Sequence, residues 1–177
     1  MPVDATRRAF LSGSLLTRAG RARAVQMLRP LGPPPPGLSS VLASQACDGC
    51  DGRCVEACPQ GVLRLHPGIH ALAGRPYLSF ENGACTFCGT CVETCPAVPT
   101  PAVPPKSAGQ AEVDVDKCLA WSGVVCMTCY SHCHRKALRP DRRRRPTVAN
   151  HACTGCGACI SVCPTAAITV AFPLTES

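Results

Sequence analysis

The chain has 177 residues, among them 16 Cys, 18 Pro and 15 Gly, with aromatics at only 4%. That composition excludes a large aromatic core, and cysteine at such density means either a disulfide scaffold or a metal protein. The formal charge is +7, but no aromatics are interleaved with the basic residues as base-stacking platforms, so no nucleic-acid partner is expected.

Residues 1–46 read as an N-terminal arm and proline-rich linker. Thr6-Arg7-Arg8-Ala9-Phe10-Leu11 has the look of a twin-arginine signal. The apolar stretch that should follow is interrupted by Arg18, Arg21 and Arg23. Arg7 and Arg8 read either as an unstructured basic tip or as a signal mimic that binds a chaperone or partner. No segment reaches the roughly 18–20 apolar residues of a membrane span. The expected setting is the cytoplasm, where thiols stay reduced and clustered cysteines bind metal instead of pairing. Gly32-Pro33-Pro34-Pro35-Pro36-Gly37 suits an extended linker.

Four cysteine quartets then repeat at intervals of about 35 residues. Residues 47–100 are expected to form one module with two of them: Cys47, Cys50, Cys54 and Cys58 before Pro59, then Cys85, Cys88, Cys91 and Cys95 before Pro96. Residues 101–177 continue a proline-rich linker (97–109) into a second module. It carries Cys118, Cys126, Cys129 and Cys133, then Cys153, Cys156, Cys159 and Cys163 before Pro164. Short runs predict strands before the later quartets, at Tyr77–Phe80, Glu112–Val115 and Pro146–Val148. A polar turn residue follows each, Asn82, Asp116 and Asn150. Further strands are expected after three quartets, at Gly61–Leu65, Ala137–Leu138 and Ala166–Val170. The unit is strand, cysteine loop, one-turn helix, strand. The fold class is therefore α+β: tandem bacterial-ferredoxin-like modules, with small strands and one-turn helices around 4Fe–4S clusters.

The spacing explains the chemistry. Cys-x2-Cys-x2-Cys sets three thiols on one side of a tight loop, and the last step, Cys-x3-Cys, is helical i to i+4 spacing. A helix starting at the third cysteine carries the fourth away, toward the other cluster of a two-cluster module. This logic gives four 4Fe–4S clusters. Cluster one takes Cys47, Cys50, Cys54 and Cys95; cluster two takes Cys85, Cys88, Cys91 and Cys58. Cluster three takes Cys118, Cys126, Cys129 and Cys163; cluster four takes Cys153, Cys156, Cys159 and Cys133. Quartets two and four match the full pattern ending in Cys-Pro. The first has an extra residue within Cys50-Asp-Gly-Arg-Cys54, which leaves room for a three-iron form. The third has a wide gap from Cys118 to Cys126 and His134 in place of proline. Zinc sites use paired knuckles, which suit runs of four poorly. With four oxidised cores and their thiolates adding about −8, the loaded protein sits near neutrality, and the basic excess is largely compensation.

Three features resemble the NapF family of ferredoxin-type proteins in periplasmic nitrate reductase systems. They are Asp4-Ala-Thr-Arg-Arg-Ala-Phe-Leu-Ser-Gly13, the segment Asp116–Cys133 with its wide first gap, and the closing Cys153–Pro164. The extra residue in quartet one and His134 depart from that pattern. The resemblance implies a cytoplasmic accessory protein. Such a protein binds the immature nitrate reductase catalytic subunit and assists installation of its 4Fe–4S cluster before export. The alternative it implies is an electron-transfer ferredoxin serving that or another oxidoreductase.

Other residues leave alternatives open. Arg142–Arg145 reads as a solvated loop or as a docking site for an acidic partner. His132 and His134 flank Cys133 and suit surface or packing roles, since sixteen cysteines already close four sites. Trp121 either shields the third cluster or simply packs. No phosphate loop, His–Glu pair or activated nucleophile is present, so no enzyme is expected.

Overall fold

The computed structural model describes residues 29–37, 47–95 and 106–172, with Thr17 and Ala19 as isolated positions. Arg7, Arg8 and linker residues 97–105 lie outside the described residues. The elements in chain order are α1 (Arg53–Glu56), β1 (Leu63–Leu65), β2 (Pro76–Leu78), α2 (Thr90–Glu93), β3 (Gln110–Val113), α3 (Thr128–Ser131), β4 (Leu138–Pro140), β5 (Pro146–Val148) and β6 (Ile168–Ala171).

All strand pairs are antiparallel. In residues 106–172 the first and last strands join, with Gln110 opposite Ala171 and Val113 opposite Ile168. The middle strands form a hairpin, Leu138 opposite Val148. In residues 47–95 the matching middle hairpin is β1 with β2, Leu63 opposite Leu78. Each hairpin therefore links two cysteine loops and brings them side by side.

Each loop enters its helix through a similar turn. Two residues before the third cysteine, Gly52, Gly89 and Gly157 have φ of 81°, 85° and 83°, a left-handed conformation that glycine adopts without a Cβ clash. Gly52 and Gly89 are the N-caps of α1 and α2. The third loop has Met127 there, at φ −131° and so outside the left-handed region. The fourth loop departs from the expected helix. Its bonds, Ile160 N–H to the Gly157 carbonyl (2.9 Å) and Cys163 N–H to the Ile160 carbonyl (3.0 Å), span three residues and give only turns. Ile160 of this turn packs against Val62, Leu63, Leu78 and Phe80 of the first module.

Strand entries repeat as well. Val62–Leu63, Ala137–Leu138 and Ala167–Ile168 are all buried as consecutive pairs. Alternation would normally expose one of the two. Here each pair lies between a cysteine loop and the apolar core, so neither side meets water. Phe80 is the one phenylalanine in the buried core among the described residues, and the thiols of Cys118, Cys129 and Cys159 make up part of it.

The proline-rich stretch is packed instead of standing clear as a linker. Pro33, Pro35 and Pro36 are buried, and the Pro33 carbonyl accepts the Leu78 N–H at 2.7 Å. Prolines lack N–H groups, so such a segment can line a strand edge only by accepting. Two histidines fasten its start. His66 Nε2 accepts the Leu31 N–H (3.2 Å), which places its proton on Nδ1 to donate to the Arg75 carbonyl (2.8 Å). His70 Nδ1 accepts the Leu72 N–H (3.0 Å), so Nε2 donates to the Arg29 carbonyl (2.8 Å). The two rings stack at 4.6 Å between centroids.

Among the described residues the modules touch beside Cys85 and Cys156. Cys85 N–H donates to the Cys156 carbonyl at 2.8 Å, and Ala108 and Ile160 pack against the first module's core. The Phe80 ring lies against Gly157, where any Cβ would strike it.

Candidate metal centres

The hairpins bring the cysteines together in crossed fours. Cys58 from the first quartet joins Cys85, Cys88 and Cys91 around a cavity of about 440 Å³, which opens to solvent. Cys133 joins Cys153, Cys156 and Cys159 around one of about 360 Å³. Cys163 joins Cys118, Cys126 and Cys129 around one of about 350 Å³. The remaining set is Cys47, Cys50, Cys54 and Cys95. Cys95 lies near enough to raise the pKa of both Cys47 and Cys54. We call the sets sites two, four, three and one, after the order of their loops. Among the described residues no three His, Cys, Asp or Glu side chains close around a single ion point.

Burial grades the sites. Cys118 and Cys129 of site three are buried, as is Cys159 of site four, whereas none of the thiols of site one or site two is. Burial first, then neighbouring thiolates, pushes Cys54 and Cys91 up to about 11 and Cys159 up to about 12. Without a metal core these thiols therefore hold their protons at neutral pH, and loading a core must release them. Cys88 is exposed and moves the other way. The Thr90 hydroxyl donates to its sulfur at 3.4 Å and lowers its pKa.

Backbone amides also donate to sulfur. Ala111 N–H reaches Cys153 Sγ (3.3 Å), Ala137 N–H reaches Cys133 Sγ (3.3 Å) and Ala167 N–H reaches Cys163 Sγ (3.2 Å). The last two depend on left-handed residues just before them, Lys136 at φ 52° and Ala166 at φ 50°, which turn the next amide back onto the thiol. Donors aimed at sulfur stabilise the anionic form and tune a bound cluster's potential. A donor set of thiolates, free of imidazole and carboxylate, matches iron–sulfur chemistry.

Some contributors were missed in the sequence. Pro36 of the arm walls site two, and nothing local announces it. Thr90, Thr128 and Thr165 sit beside the sulfurs of Cys88, Cys126 and Cys163. Their signal, a recurring Cys-x-Thr, was legible. His132 caps α3, its Nδ1 lying 2.9 Å from the Thr128 carbonyl, and His134 is exposed.

Residues 46–98 match the 4Fe-4S dicluster domain family and residues 146–169 the 4Fe-4S binding domain family. Fold and thiol sets together define a ferredoxin-type iron–sulfur protein. Ferredoxin-type protein NapF of Escherichia coli (strain K12) is 30% identical over 179 residues, covering 97% of this chain and 98% of its own. NapG of the same organism is 33% identical over 150 residues, 73% of this chain and 64% of its own. The methylamine utilization ferredoxin-type protein MauM of Methylobacillus flagellatus is 33% identical over 171 residues, 85% and 70%. The chain belongs to the NapF family of ferredoxin-type proteins. Among the described residues no helix is long and apolar enough to cross a membrane.

Proposed function

We propose that the sixteen cysteines ligate four 4Fe–4S clusters in the crossed sets above. On this reading the protein is a non-catalytic cytoplasmic accessory factor. It binds the immature catalytic subunit of a periplasmic nitrate reductase and assists installation of that subunit's 4Fe–4S cluster before export. When bound, the clusters supply one-electron chemistry or, in transfer, the cargo itself. The observation that carries the reading is the contrast between sites. Sites one and two have no buried thiol, and site one alone of these two carries an extra loop residue, within a turn that bears an exposed Asp51–Arg53 ion pair at 3.0 Å. Site three, by contrast, buries Cys118 and Cys129, and site four buries Cys159. Site one is the natural donor, and the more buried site three a permanent one.

The test mixes anaerobically purified, loaded protein with cluster-free catalytic subunit under an iron chelator. Iron and sulfide are then measured in both. Assembly expects the acceptor to gain cluster and this protein to lose it from site one. Full clusters kept here, with an acceptor still empty, would overturn the reading.

The junction favours a second reading, electron transfer. Through Cys85 N–H and the Cys156 carbonyl, site two meets site four. Cys54 also acts on Cys91, so sites one and two adjoin. The sites then run one, two, four, three as a single relay. That reading expects four reversibly reducible sites and no net loss of iron.

A further inference from the structure

We propose that the loop between Cys118 and Cys126, with the turn joining β4 to β5, is the face on which an acidic protein partner docks beside site three. The inference rests on the proposed function for the identity of that partner, the nitrate reductase catalytic subunit.

The loop displays apolar surface that the fold does not use. Val125 is 80% exposed, Val124 53% and Trp121 37%, and Tyr130 of the following α3 is 44% exposed. Clustered exposed apolar side chains mark interaction sites. The loop is also fixed in shape. Trp121 N–H and Ser122 N–H both donate to the Cys118 carbonyl (3.0 and 3.2 Å), and Val124 N–H to the Leu119 carbonyl (3.0 Å). The valines are thus held outward by a built turn.

A basic rim is fastened to this patch. The Arg145 guanidinium sits 4.1 Å from the centre of the Trp121 ring, a cation–π contact. Asp141 holds Arg145 in place through an ion pair at 2.7 Å and accepts the Arg143 and Arg145 N–H groups at 2.8 Å each. Arg142, Arg143 and Arg144 remain exposed on the same turn. Among the described residues the ion pairs are Asp51–Arg53, Asp114–Lys117 and Asp141–Arg145, so these three arginines enter none. Three adjacent unneutralised cations around an apolar centre complement a surface with carboxylates at its edge.

The Trp121 face decides the class of partner. Arg145 already covers one face of the ring, which disfavours its use as a base-stacking platform or as a free anchor among lipid headgroups. The patch also borders the cavity of site three, which Cys118, Leu119 and Cys126 line. A protein docked there brings its own centre close to these thiols.

The test measures binding of loaded protein to the catalytic subunit across ionic strengths. Replacing Arg142, Arg143 and Arg144 together by Ser is expected to weaken binding about tenfold and flatten its salt dependence. Val124→Ser with Val125→Ser is expected to weaken it about tenfold with the salt dependence kept, and triple Arg→Lys to retain it. Unmodified binding in all variants would overturn the docking face and leave the proposed function standing. Absence of binding by the unsubstituted protein would overturn both. Retained subunit binding alongside arginine-dependent binding to anionic vesicles or duplex DNA would reassign the face and overturn the proposal.

Discussion

At the scale of single residues, small donors and one histidine carry measurable consequences. The Thr90 hydroxyl on Cys88 Sγ stabilises added negative charge, so Thr90→Val should make the site-two potential more negative. A lost hydrogen bond of about 1 kcal/mol corresponds to some tens of millivolts for one electron. A redox titration followed by EPR measures it, and an unchanged potential would dismiss that role. His66 is buried, and burial lowers its pKa below the usual 6.5. Its neutral form is the one the fold uses. The stability it contributes is present in full above about pH 6.5 and is lost as pH falls through the lowered folded value. The thermal midpoint should therefore drop between pH 7.5 and 5, and drop less in His66→Gln, which cannot titrate. Equal drops in both proteins would remove His66 from the account.

Among elements, the repeated strand entry is the stabilising device. Leu63 is 1% exposed and lies within a core containing few large side chains, so Leu63→Ala should cost about 2–5 kcal/mol. Chemical denaturation of loaded protein measures this, together with loss of visible absorbance from site two, which Leu63 lines. Ala166 behaves oppositely. It holds φ 50°, a conformation costly to any residue with a Cβ, so Ala166→Gly should stabilise by up to about 1 kcal/mol. A destabilised variant would mean that backbone freedom in the unfolded chain outweighs the relief.

For the whole molecule, the crossed ligation proposed above would make each module one cooperative unit. Cys58→Ser should empty site two and leave site one loaded, although Cys58 belongs to the first quartet. Cys58→Ser and Cys91→Ser should each remove the same EPR signal, and the double variant no more than either alone. Cys58→Ser with Cys54→Ser should remove two signals. Additive loss from the Cys58–Cys91 pair would refute the crossing. The junction makes a second demand. Phe80 is buried against Gly157, and Phe80→Ala should split one thermal transition into two as the modules uncouple.

The sequence alone determined the local chemistry. Four runs of cysteine at loop-and-helix spacing, the short strands between them and the ferredoxin-type fold were all readable, because each depends on contacts within about ten residues. Crossed partners such as Cys58 with Cys85 followed from one helical step. Only tertiary structure decided the rest. It packs Pro33–Pro36 onto β2 and the wall of site two, where composition suggested a free linker. It gives bare turns where the fourth helix was expected, with Ile160 packed against the first module. It sets Arg145 over Trp121 and Cys85 against Cys156, pairs separated by 24 and 71 residues. The physical reason is the same in each case. Hydrogen bonds and packing between distant segments overrule local propensity, and no local pattern encodes which distant surface will be met.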